Sequence, residues 1–162
     1  MKPPIDSVRY RLGCLLVLVG WLAAAPPCRA DEPEIKVHIV AILATEKDKQ
    51  IDPRLKDIAK KVQEKEPQLT GFQVNRCICA KLTAGKEETF KLVDNQTVTV
   101  LFKCKTDKDT RCCLTVKAPR MGEVTYNTTC EKFFPIVTRY QTKEKQRLIL
   151  AIMVPPCEKK KK

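Results

Sequence analysis

Apolar residues recur at every second position through residues 96–117. Val98, Val100, Phe102 and Cys104 share one face of a first arm, with Thr97, Thr99, Leu101 and Lys103 on the other. After the polar turn Thr106-Asp107-Lys108-Asp109, the residues Cys112, Leu114, Val116 and Ala118 repeat the alternation. This pattern predicts a β-hairpin with one apolar face. A turn centred near Lys108 sets Cys104 opposite Cys112, within the separation that a disulfide spans.

Residues 35–44 and 148–154 differ, because both alternation phases are apolar, in the first segment from His38 onward. Strands of this kind are buried on both faces, so the two are expected side by side at the centre of a sheet. Asp52 followed by Pro53 reads as an N-cap with proline in the first turn. Leu55, Ile58, Ala59 and Val62 then recur on one helical face, and Lys56, Lys60, Lys61 and Lys65 occupy the rest. That helix is expected to run to about residue 66, before Pro67.

Residues 72–83 predict a strand with Phe72, Val74, Ile78, Ala80 and Leu82 in one phase. A turn at Gly85 leads to a return strand over 88–93, and Asp94-Asn95 turns again into the hairpin. Weaker strands are expected over 123–130 and 134–141, the second at an edge or bulge because of Pro135. The fold class is therefore α+β, an antiparallel β-meander or sandwich-like sheet with a single amphipathic helix after the first strand. A single domain over residues 31–158 holds it.

The first 30 residues change the picture of where the chain acts. Lys2, Arg9 and Arg11 precede an uncharged stretch from 12 to 28, and Cys28-Arg29-Ala30 then meets Asp31-Glu32. These are the parts of a secretory signal peptide cut after Ala30. The apolar stretch is short for a membrane span and stops at Pro26-Pro27. Neither Cys14 nor Cys28 has the approach that lipid attachment needs. The expected location is secreted or periplasmic, with no integral membrane segment after cleavage.

The whole chain carries a net charge of +12. The leader contributes Lys2, Arg9, Arg11 and Arg29 against Asp6, so the mature chain keeps +12 − 3 = +9. Lys159, Lys160, Lys161 and Lys162 form a basic tail suited to an anionic envelope surface. Nucleic acid is not an expected partner of an exported chain without a run of spaced aromatics. After cleavage Cys77, Cys79, Cys104, Cys112, Cys113, Cys130 and Cys157 remain, a density that reads as a disulfide framework with one cysteine left over.

No catalytic constellation assembles from these residues. Cys77-Ile78-Cys79 lacks the spacing of a zinc knuckle, Cys112 and Cys113 point to opposite faces of a strand, and Cys-x-x-Cys is missing. His38 stands alone among apolar neighbours, and the carboxylates Glu87, Glu88, Asp107 and Asp109 fall at turns. No metal, cofactor or catalytic residue is expected. Asn95-Gln96-Thr97 and Asn127-Thr128-Thr129 match the glycosylation acceptor pattern.

Ile51-Asp52-Pro53-Arg54-Leu55, Leu69-Thr70-Gly71-Phe72 and Gly85-Lys86-Glu87-Glu88-Thr89-Phe90 resemble a family of small exported bacterial proteins of uncharacterised activity. The resemblance covers residues 35–105 and implies no activity. The strand, helix and meander order is also that of cystatin-like inhibitors, but no inhibitory loop motif is present. The function expected is a non-catalytic binding or structural module of the envelope or extracellular space, with an unknown protein or an anionic envelope surface as partner. The alternative is a small secreted hydrolase working through carboxylates.

Overall fold

The computed structural model describes residues 34–106, 111–129 and 131–155. The expected leader of residues 1–30, Asp107 and Asp109, Cys130, Cys157 and the four terminal lysines lie outside the described residues, as does the side chain of Cys104. The strands are β1 Glu34–Thr45, β2 Gly71–Thr83, β3 Glu87–Lys91, β4 Thr97–Thr106, β5 Arg111–Lys117, β6 Glu123–Thr129, β7 Phe134–Gln141 and β8 Arg147–Met153, with one α-helix, α1 Lys56–Gln63, after β1. They form two antiparallel sheets, ordered β2-β1-β8-β7 and β3-β4-β5-β6. The architecture is the expected α+β arrangement of antiparallel sheets with one short helix.

β1 and β8 pair at the centre of the first sheet, from His38 opposite Met153 to Ala44 opposite Arg147. Each has something to bury on both faces. Ile35, Val37, Ile39 and Ala41 join Leu148, Leu150 and Ile152 in a core shared with Val98, Val100, Phe102, Leu114 and Val116 of the second sheet. Ile42, Ala44, Ile149 and Ala151 meet Leu55, Ile58, Ala59 and Val62 below the helix. Full burial of one aliphatic side chain stabilises by roughly 1.5–3 kcal/mol, so residues on both faces contribute and the alternation disappears from these two strands alone. β7 takes the edge next to β8, where Pro135 removes no ladder donor that another strand needs.

Three expectations are corrected. First, the helix is shorter than the periodicity implied: Asp52 accepts the Arg54 N–H at 3.0 Å and caps a 3₁₀ turn, Pro53–Leu55, and α1 ends at Gln63. Val62 is the last apolar residue of the buried face, and Pro67 forbids continuation, so residues 64–66 close as turns, with Glu66 N–H donating to Val62 O at 2.9 Å.

Second, β2 does not keep one phase. Ala41 pairs with Arg76 and Ile42 with Val74, which leaves Asn75 as an extra residue. This bulge reverses the facing of the strand. Phe72 and Val74 pack under the helix, whereas Ile78, Ala80 and Leu82 face the core between the sheets.

Third, the central hairpin slips by one. Phe102 pairs with Leu114, but beyond an extra residue at Lys103 the partners are Cys104 with Cys113 and Lys105 with Cys112. The expected opposition of Cys104 and Cys112 therefore does not occur in the backbone register. The inward face is as expected: Val98, Val100, Phe102, Cys112, Leu114 and Val116 are all buried.

Candidate functional site

Length sets up the site. α1 has 8 residues and covers about 12 Å, whereas β1 has 12 residues and extends about 40 Å. The helix lies over the part of the face around Ile42 and Ala44, and the part around His38 projects past it.

The ladders define what stands where the helix-covered cluster, with Ala151 in it and Val40 packed against it, gives way to the uncovered part. His38 is flanked by Cys79 on β2 and Met153 on β8, and Val40 by Cys77 and Ala151. At the rim Lys36 pairs with Lys81. Cys77 and Cys79 are exposed, His38, Val40 and Met153 are half-buried, and Ala151 is buried. A shallow hollow of about 160 Å³ opens between His38, Cys79 and the two rim lysines.

The Asn75 bulge is what brings the cysteines here. Had β2 kept the phase of Phe72 and Val74, Ile78 would share the helix side and both thiols would point at the core. Arg76 is the signal of this change, since a charged residue stands in the phase otherwise occupied by Phe72, Val74 and Ile78. Alternation counting that skips Arg76 misses it.

Arg54 lies in the 3₁₀ turn Pro53–Leu55 that precedes the helix. Its Nη2 donates to Asp52 Oδ2 at 2.7 Å and its Nε to Oδ1 at 3.1 Å. These bonds hold the Asp52 carboxyl down at about 2 and raise the Arg54 guanidinium, with a smaller electrostatic contribution from Cys77. The Arg54 guanidinium is thereby committed to Asp52.

A second concave region lies at the β7–β8 turn, a hollow of about 300 Å³ lined by Asp94, Thr142, Lys143 and Glu144 among others. Tyr140 Oη donates to Asp94 Oδ2 at 2.8 Å, and that bond is the main cause of a raised Tyr140 hydroxyl. Arg120 lies 5.5 Å from the centroid of the same ring. Asp94 and Asn95 hold left-handed backbone angles, φ 50° and 59°, a conformation that both side chains tolerate.

The remaining expected residues disperse. Cys112 is buried in the core and Cys113, half-buried, takes the opposite face of β5. Glu87 is tied to Lys117 at 2.8 Å on the outer face of the second sheet. Asn95 and Asn127 are exposed. Among the described residues no three of His, Cys, Asp and Glu converge on one point. No helix among them is long and apolar enough to cross a membrane. Searches with the whole sequence and with the fold find no matching family model, no matching curated protein and no matching solved structure.

Proposed function

We propose that the chain is an exported, non-catalytic binding module of the cell envelope or extracellular space, and that the open part of the helix-bearing sheet face receives its partner. The observation that carries the reading is the exposure of Cys77 and Cys79 beside half-buried His38 and Met153, past the edge of the helix-covered cluster against which Val40 packs. A sheet face with apolar and soft side chains at its centre and lysines at its rim suits contact with an anionic partner. Lys36 and Lys81 supply the rim, and Lys159, Lys160, Lys161 and Lys162 add to the attraction from the tail. The leader supports export.

Blocking the face tests this. A bulky maleimide on Cys77 and Cys79 is expected to abolish retention of the chain on its own envelope fraction, and removal of the four terminal lysines to weaken it in a salt-dependent way. Undiminished retention of the blocked protein sinks the reading. The hydrolase alternative has one place to be tested, the hollow that Asp94 and Glu144 both line. A turnover lost in Asp94→Asn or Glu144→Gln, with retention on the envelope unchanged, favours it.

A further inference from the structure

We propose that Cys77 and Cys79 form a two-coordinate thiolate site for a soft monovalent cation, copper(I) being the biological case, with His38 on the neighbouring strand outside the coordination shell. This assignment adds a metal ligand to the open face, distinct from the envelope partner, and rests on the reading of that face as the binding site.

The first argument is chemical. Thiolate and thioether donors select soft cations, and imidazole also suits copper. The uncovered face gathers two thiols, one imidazole and one thioether in two adjacent rows of the ladder: Cys79, His38 and Met153 in one, Cys77 in the next. Both thiols are exposed and unbridged. Carboxylates, which hard cations need, have no place in these rows.

The second argument is geometric. Side chains two apart on one face of a strand are displaced by about 6.6 Å along it. A metal–sulfur bond of about 2.3 Å puts two sulfurs on one ion about 4.6 Å apart if the ion is linear and about 3.8 Å apart if it is tetrahedral. The sulfurs must therefore lean together by about 2 Å for the linear case and by about 3 Å for the tetrahedral one. Rotation about χ1 on an exposed strand supplies the smaller movement with the backbone in place. A tetrahedral ion also wants four donors, and no three His, Cys, Asp or Glu side chains converge among the described residues. The site thus discriminates in favour of a linear d10 ion and against zinc.

The surroundings favour the same ion. A bis-thiolate complex of a monovalent cation carries one net negative charge, and Lys36 and Lys81 stand at the rim beside Cys79. Val40 lies directly across the ladder from Cys77 and makes the floor of the site apolar.

The test uses the natural exported chain isolated without reductant, so that bridges elsewhere stay intact. Titration with copper(I) against a chromophoric chelator, read also by native mass spectrometry, is expected to show one ion per chain. Cys77→Ser/Cys79→Ser is expected to lose that ion, and its exposed positions leave the fold unchanged by circular dichroism. His38→Ala, which removes no ligand, should change the affinity by less than about tenfold. Zinc(II) at the same concentration should not be retained. Copper(I) bound equally by the double serine variant, no copper(I) bound by the natural chain, or a Cys77–Cys79 disulfide in the protein as isolated would each overturn the proposal. A chain that binds no copper(I) but loses envelope retention on maleimide blocking refutes the ligand alone. A chain that binds copper(I) but ignores the envelope refutes the partner reading instead.

Discussion

Thr138→Val removes one buried hydroxyl and keeps the shape of the side chain. Thr138 has no solvent exposure, and its Oγ1 donates to Leu148 O at 2.7 Å while accepting the Tyr140 N–H at 3.2 Å. It stands where the β7–β8 register shifts between Val137 and Gln141, so the ladder itself does not pair these two backbone groups. Leaving a buried donor or acceptor without a partner costs about 1–3 kcal/mol, and two such groups set the expected loss at about 2–4 kcal/mol once partial relaxation is allowed for. Thr138→Ser keeps both bonds and should lose only about 1 kcal/mol, the contribution of one buried methyl. Urea unfolding measures both, with the midpoint falling and the slope unchanged. A valine variant within about 0.5 kcal/mol of the natural protein, or a serine variant as damaged as the valine one, refutes the view that this hydroxyl holds the bulge.

Three further outcomes follow from local geometry. Alkylation of the native chain should modify Cys77 and Cys79 rapidly and spare Cys112, which has no exposed surface; equal labelling of Cys112 in a peptide map would overturn its placement in the core. The Asp52 carboxyl is depressed to about 2 in the folded chain, against about 3.9 for a free side chain, so its contribution is complete above about pH 4 and is lost as the pH falls through about 2. The difference in unfolding midpoint between natural protein and Asp52→Asn should accordingly be flat at neutral pH and shrink below about pH 4, whereas a difference that grows on acidification contradicts the ion pair with Arg54. Phe72→Ala empties a fully buried position beneath the helix and should cost about 3–5 kcal/mol in denaturant unfolding, a value below about 1 kcal/mol being incompatible with the packing described.

Local pattern was enough for the elements and for the centre of the first sheet. Residues 35–44 and 148–154 announce two-sided burial because both phases are apolar, and Pro135 announces an edge because it lacks a donor. The inward face of the hairpin is legible for the same reason: alternation reports which side of a strand is buried without reference to any partner. The core cysteine Cys112 belongs with Leu114 and Val116 on that evidence alone.

Tertiary structure decided everything that depends on register and coverage. An extra residue at Asn75 turns β2 over, and another at Lys103 moves Cys104 from opposite Cys112 to opposite Cys113. A bulge inserts one residue without disturbing composition, so alternation on either side of it looks regular, and only the partner strand records the slip. The candidate site depends on both kinds of information. Cys77 and Cys79 were visible as a pair in the chain, but their neighbours His38 and Met153 come from strands 39 and 74 residues away along the chain from Cys77 and Cys79. A helix of 8 residues laid on a strand of 12 then leaves that group uncovered, because the rise per residue of an α-helix is less than half that of a β-strand.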